Sequence, residues 1–279
     1  MNSKKKATIY KRVVLIIFII MAGLQLYPII YLFDFSLVKT SDFYVSGLFK
    51  IPDPPQWINY ENAIVQGNVP HFFLNSLIVC VVSIAVTLLL VLTLSYAFVK
   101  MQWRGRKLLF GIMLLGMMIP PHTTLIANYN LYEALGIRDT YLSMIIPYIA
   151  FNVPFGLFLM AGYLKTIPDS IIESAKIDGA STFQTIFKVI GPLTRPALSS
   201  IGITTFLNCW NEYVMASTFL SKDTYKTLPL SITKFTTEHG ADLASQFAVM
   251  SIVAIPAIIV YFAFSEKITE GIMAGSVKG

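Results

Sequence analysis

Asn208, Trp210, Asn211 and Glu212 stand almost side by side inside the apolar run Ala197–Leu220, and Glu212 is the one charged residue of that run. Counting back from Leu220 at ~1.5 Å per residue puts Glu212 roughly 12 Å below the end of a helix through this run. A carboxylate at such depth is costly and faces a cavity or a partner. Amide donors beside an indole plane suit hydroxyl groups and the apolar face of a sugar ring. The same four residues equally suit a polar cluster gluing two membrane helices together, so both readings stay open.

Other chemistry is missing. No G-x-x-x-x-G-K-[ST] run exists, so the sequence has no loop to cradle nucleotide phosphates. His71, His122 and His239 stand far apart without H-E-x-x-H spacing, and no G-x-S-x-G elbow occurs. The expectation is a chain that is not an enzyme and has no cofactor or metal of its own. Cys80 and Cys209 fall inside apolar runs and read as buried small hydrophobes.

The elements that must position these residues are membrane helices. Of 279 residues 55% are hydrophobic and 13% charged, with mean hydropathy +0.67. Soluble domains carry about 25% charged residues. The net charge of +6 arises from residues flanking apolar runs, not from one basic face, which argues against a nucleic-acid partner. Spans are expected at Val13–Phe33, Leu77–Val99, Tyr141–Leu164, Ala197–Leu220 and Phe247–Phe264. Val13–Phe33 is too long for a signal peptide and reads as a retained span. A further span starting at Leu108 is interrupted by Pro120-Pro121 and His122-Thr123-Thr124, a break tolerated only where it lines a cavity or packs in protein.

Six spans make an all-α integral membrane fold: residues 1–12 as N-terminus, 13–264 as the transmembrane domain, 265–279 as tail. Of the 21 basic residues, only Lys39, Lys50, Arg138, Lys222, Lys226 and Lys234 then fall on the outer side. The other 15 share the side of both termini, which the positive-inside rule places in the cytoplasm of a cell-membrane protein.

The inner loop 165–196 reads as two short helices joined by a turn. Ser170 with Glu173, and Ser181 with Gln184, fit capping boxes. Gly179 sits where a helix would end in the left-handed conformation. Phe183, Ile186, Phe187 and Ile190 make one helical stripe that Gly191-Pro192 would stop. Helices this short need a surface to dock on, either a partner or their own bundle.

Glu173-Ser174-Ala175, Asp178-Gly179-Ala180 and Val189-Ile190-Gly191-Pro192 resemble the EAA loop of ABC importer permeases, E-A-A-x3-G-x9-I-x-L-P, with departures at Ser174, Val189 and Gly191. Phe73-Leu74-Asn75-Ser76, Pro154-Phe155, Trp210-Asn211-Glu212-Tyr213 and the ending Gly271-x-x-Ala274-Gly275-x-Val277-Lys278-Gly279 are similar to the carbohydrate-uptake branch, so the resemblance covers nearly the whole chain.

That resemblance implies a second permease subunit, two cytoplasmic ATPase subunits that hold ATP and Mg, an extracellular solute-binding protein and a carbohydrate substrate. It implies that Glu173, Ser174, Ala175, Asp178, Gly179, Ala180 and Pro192 belong to a coupling loop seated on an ATPase subunit. It also implies that the tail reaches toward the ATPases. Glu173 would pair with a basic partner group as well as cap its helix, Ala175 and Gly179 would allow close approach, and Asp178 would hold the turn through a side-chain bond. The rival classes are a permease for a non-sugar solute and an ion-coupled secondary transporter. For the latter, one intramembrane carboxylate is sparse.

Overall fold

The computed structural model of the chain describes residues 3–43, 52–237 and 240–276. Lys50, His239, Val277, Lys278 and Gly279 lie outside them. The helices in chain order are α1 Ser3–Phe35, α2 Ile58–Val65, α3 Val69–Val99, α4 Arg106–Leu115, α5 Leu125–Ala134, α6 Leu142–Leu164, α7 Asp169–Ile177, α8 Thr182–Gln184, α9 Gly191–Leu193, α10 Arg195–Trp210, α11 Val214–Phe219 and α12 Leu243–Ser276. The strands β1 Thr236–Thr237 and β2 Gly240–Ala241 pair antiparallel as a short ribbon.

Four continuous stretches are long and apolar enough to cross a bilayer: Tyr10–Phe35, Val69–Val99, Leu142–Leu164 and Leu243–Glu266. They contain or nearly coincide with four of the expected runs. The segment begun at Leu108 is a pair, Arg106–Met118 and Pro121–Ala134, bent by 93°. Its hinge is Pro120, extended at φ −64° and ψ 125°, a conformation favoured by the proline that follows. The expected span Ala197–Leu220 is not one helix. It breaks at Asn211, Glu212 and Tyr213 between α10 and α11. The described residues thus hold four continuous candidate spans, or five with the bent pair counted as one.

The chain divides into two compact units, Met1–Val69 with Ser231–Ala254, and Pro70–Leu230 with Ile255–Gly279. In the first, buried Asn59 on α2 donates its amide to the carbonyls of Ser36 and Val38, both at 2.9 Å, and so fixes the chain that leaves α1. Tyr31, Phe35, Phe43 and Phe247 form an aromatic cluster. Asp242 caps α12 by accepting from the Ser245 hydroxyl at 2.6 Å and its amide at 3.2 Å, and it also accepts from the Thr40 hydroxyl. No residue in the most apolar window of α1 is buried, as expected of a helix bathed in lipid.

In the second unit α3, α6 and α10 pack through small residues, which permit close backbone approach where lipid supplies no hydrophobic drive. A Cβ on Gly156 would stand 2.5 Å from Val91 Cγ2 and 3.2 Å from Ile201 Cγ2. The core continues through Val91, Leu92 and Tyr96 of α3, Leu159, Met160 and Leu164 of α6, and Ile172, Ile186, Ile190 and Ile201 further on. The inner loop therefore packs one face against its own bundle. Gly156→Val should lower stability by roughly 1–3 kcal/mol through overpacking, read as an earlier thermal unfolding transition of the detergent-purified chain. An unchanged transition would show that the three helices separate freely.

Candidate functional site

A cavity of about 640 Å3 opens between the two broken segments of the second unit. Pro121 and His122 line it from the bend between α4 and α5, Tyr148, Phe151 and Asn152 from α6, and Asn208, Asn211, Glu212 and Tyr213 from the end of α10 and the break after it. Two prolines bring the His122 turn there. Pro120 turns the chain, and Pro154 of α6 stands where Gly116 would meet it at 2.9 Å with any side chain larger than hydrogen.

Glu212 organises the break. Its carboxylate accepts the amides of Met215 at 2.7 Å and Ala216 at 3.0 Å, the free N–H groups of the first turn of α11. It also accepts the Tyr148 hydroxyl at 3.2 Å, and His122 Nε2 stands 3.8 Å from Oε1. Only 12% of its side chain is exposed. A helix that starts at a buried break must satisfy its own orphan donors, and the carboxylate does so while complementing the helix dipole. This capping role is additional to the two open sequence readings.

Asn208 and Asn211 line the cavity as expected. Asn208 donates to Asn152 Oδ1 at 2.9 Å, and Asn152 donates to the Tyr148 carbonyl at 2.7 Å. Trp210 does not line it. The indole is 1% exposed and packs between Phe206 (5.3 Å, stacked) and Phe73 (5.4 Å, edge-on), because a helix turns residues 208 and 210 to different faces. Tyr148, Phe151 and Asn152 were missed by a reading that searched the spans for charge. The signal was Asn152, an amide inside an apolar run.

Loop residues from two stretches of the sequence hold the end of α11 in place. Asp139, at φ 56°, accepts the Ser221 hydroxyl at 2.6 Å, the Lys222 amide at 2.9 Å and the Ser221 amide, just past the end of α11. Burial pushes its carboxyl up, but those bonds and Arg138 at 3.5 Å hold it below the ordinary value. Asn75 at the head of α3 donates to the carbonyls of Thr224 and Lys226 and accepts from Tyr141 Oη at 2.7 Å, while Ser76 accepts the Leu228 amide at 2.8 Å.

At the other end of the unit lies the hairpin 165–196. Lys100 Nζ, at the foot of α3, donates to the Ile167 carbonyl at 2.7 Å and to Asp169 at 2.6 Å, and this bond draws the Asp169 carboxyl below its ordinary value. Asp169 therefore opens α7, after Pro168 at φ −60° and ψ 139°. Ser170 is inside the helix and the expected Ser170–Glu173 capping box does not form. The Ser181–Gln184 box does, with both bonds present.

Gly179 has φ +77°, and the turn is a main-chain Schellman motif, Ala180 N–H to Ala175 O at 2.9 Å and Gly179 N–H to Lys176 O at 3.0 Å. The turn closes through these bonds and not through the side-chain bond expected of Asp178. Ala175 is buried against its own bundle, whereas Glu173, Ser174, Asp178 and Gly179 are exposed. Ile177 at 86% and Phe183 at 70% exposure flank the turn.

Gly191-Pro192 does not stop the following helix. Thr185–Ile190 forms a π turn, and the chain continues through α9 to Thr194, buried and bonded to Ile190 O, before α10 begins. The wider turn absorbs the hydrogen bond that Pro192 cannot donate. The exposed Pro192 thus sits in the link between hairpin and α10.

Apolar candidate spans, a bent helix pair bordering a polar cavity and a helical hairpin packed by one face on the bundle are the architecture of a multi-pass membrane transport subunit. The chain belongs to the family described as binding-protein-dependent transport system inner membrane component, matched over residues 89–272. It is 34% identical to the putative ABC transporter permease protein ORF2 of Caldicellulosiruptor sp. (strain Rt8B.4), over 88% of this chain and 89% of that one. It is 30% identical to the trehalose/maltose transport system permease protein MalG of Thermococcus litoralis, over 97% of this chain and 98% of that one. Its fold is similar to a chain in the crystal structure of a bacterial ABC transporter involved in the import of the acidic polysaccharide alginate, with TM-score 0.79 and 25% identity over 95% of this chain and 98% of that one.

Three variants separate the braces of α11. Glu212→Ala should cost roughly 0.5–2 kcal/mol by leaving the α11 amides without their cap. Glu212→Gln, which keeps an acceptor oxygen, should recover part of that loss in the same thermal unfolding assay. Asp139→Ala should cost roughly 1–3 kcal/mol at pH 7. Because the folded Asp139 ionises more readily than in the unfolded chain, its contribution is complete above the ordinary aspartate range and fades as pH falls below about 4. The wild type and Asp139→Ala should therefore converge in acid, and a gap unchanged with pH would contradict the ionised contact.

Proposed function

We propose that the chain is one permease subunit of an ATP-driven importer in the plasma membrane, and that it passes a sugar or oligosaccharide. The cavity carries this reading. Its lining combines Asn152, Asn208 and Asn211 with Tyr148, Phe151 and Tyr213, amides for hydroxyl groups and aromatic planes for sugar faces. Its relatives include a trehalose transport permease of Mycobacterium tuberculosis and a diacetylchitobiose uptake permease of Streptomyces coelicolor, and the transporter of similar fold is involved in the import of a polysaccharide.

In this reading a second permease completes the cavity, a binding protein delivers the solute, and two ATPase subunits supply the energy with their own ATP and Mg. The bent pair at Pro120 and the broken α10–α11 segment count as spans three and five of six, with both termini cytoplasmic, as the distribution of basic residues favours. The hairpin docks on an ATPase through the face bearing Glu173, Ile177, Gly179 and Phe183. Its opposite face is already committed to the bundle through Ile172, Ile186 and Ile190. Lys100 and the Ile190–Thr194 link transmit its displacement to α3 and α10 as a rigid-body movement.

The test is sugar-stimulated ATPase activity of the chain purified with its neighbouring permease, ATPase and binding protein. Gly179→Asp should abolish stimulation and ATPase association while changing thermal stability little. A Cβ at Gly179 meets no atom of this chain within 4 Å, and aspartate tolerates the left-handed conformation comparatively well. Retained stimulation would remove the coupling role. Response to a non-sugar solute alone would replace the substrate class, and an ion gradient driving uptake without ATP would mean a secondary transporter.

A further inference from the structure

A second pocket, of about 270 Å3, lies at the opposite end of the bundle from the outer loops and has no part in the transport path described above. Its lining is Phe98 and Val99 at the end of α3, Arg106, Lys107 and Phe110 at the start of α4, and Lys165 just past α6. Three cations from two separate stretches of chain thus converge on one space, and no carboxylate lines it among the described residues. The nearby acid, Asp169, is committed to Lys100 at 2.6 Å. Arg106 spends one N–H on the Met101 carbonyl at 2.6 Å, which holds the guanidinium in place with further donors free. Lys107 and Lys165 are exposed and make no ion pair among the described residues.

Like charges gathered this way repel unless an anion sits among them. The rest of the pocket says which kind of anion. Its floor is aromatic and aliphatic, with Phe98 and Phe110 at 5.5 Å, and Trp103 stands 5.8 Å from Phe98 with its indole N–H on the Ala97 carbonyl. Tryptophan at a helix end marks the level of the lipid headgroups. Leu108 and Leu109 of the same helix as Phe110 are exposed as well.

We propose that this pocket seats the phosphate of an anionic phospholipid, with the cations around the phosphate and the apolar floor beneath the glycerol and upper acyl chain. Phosphate is the shared chemistry of a lipid headgroup and of a free phosphate ester, and the apolar floor selects the lipid. The proposal is independent of what the transporter carries.

The test is native mass spectrometry of the full chain purified with its partner subunits, titrated with phosphatidylglycerol, phosphatidylcholine or glycerol phosphate. The wild type should retain phosphatidylglycerol in preference to phosphatidylcholine. A basic residue near an anionic headgroup is worth roughly fivefold in affinity, so Lys107→Gln with Lys165→Gln should weaken that binding about thirtyfold. Lys107→Arg with Lys165→Arg should retain it, and an unchanged thermal transition shows that the neutral double variant is folded. Equal retention of the two lipids, or an unaltered preference in the neutral double variant, would overturn the proposal. Glycerol phosphate binding as tightly as phosphatidylglycerol would assign the pocket to a soluble phosphate ester instead. Loss of ATPase recruitment with lipid preference unchanged would assign it to a protein partner.

Discussion

A buried amide left without a partner is costly, and the cavity depends on how the chain meets that constraint at Glu212. A run of apolar residues would fold most simply as one continuous helix, closing every main-chain bond within itself. Here α10 ends at Trp210 and α11 begins at Val214, and the donors thus exposed are taken by the Glu212 carboxylate. The break turns Asn211 and Tyr213 toward the open space instead of toward a neighbouring helix. A charge that looks expensive by itself is the condition for having an irregular wall there.

The facing wall follows similar physics. Prolines at 120 and 121 turn a would-be span through 93°, and Pro147 and Pro154 remain inside α6 without ending it. The difference lies in packing. Pro154 is buried against Gly116, just past the end of α4, while Pro121 borders the cavity and so leaves room for the chain to change direction. Between the two walls Asn208 and Asn152 bond to each other, which fixes both amides before any solute arrives. Preorganised polar groups of this kind lose less freedom when a ligand binds.

Much of this was legible in the residues. Uninterrupted apolar length located α1, α3, α6 and α12, because burial in lipid demands it and little else produces it. Gly179 and the Ser181–Gln184 pair were readable because each is a local device, set by a left-handed backbone or by a bond three residues away. What could not be read was set by distant partners. Lys100 draws Asp169 into the start of α7, so the helix begins before the expected Ser170 cap. Pro192 looked like a stop, but a π turn upstream makes its missing amide harmless. Trp210 looked like part of a site beside Asn208, yet two aromatic rings from elsewhere in the chain claim it. In each case the sequence carries the residue and the fold decides its neighbour.

The π turn at Thr185–Ile190 has one more consequence. A wider turn holds an extra residue, so every side chain downstream is rotated by about a third of a revolution relative to an uninterrupted helix. The face that α10 offers to α3 and α6, and the direction in which Asn208 points, both inherit that rotation. Loops elsewhere in the chain can gain or lose residues at little cost, but between Ser181 and Glu212 the count itself is a structural quantity. Adding or removing one residue in this stretch would turn the face of α10 away from its partners, whereas exchanging one residue for another leaves that register intact.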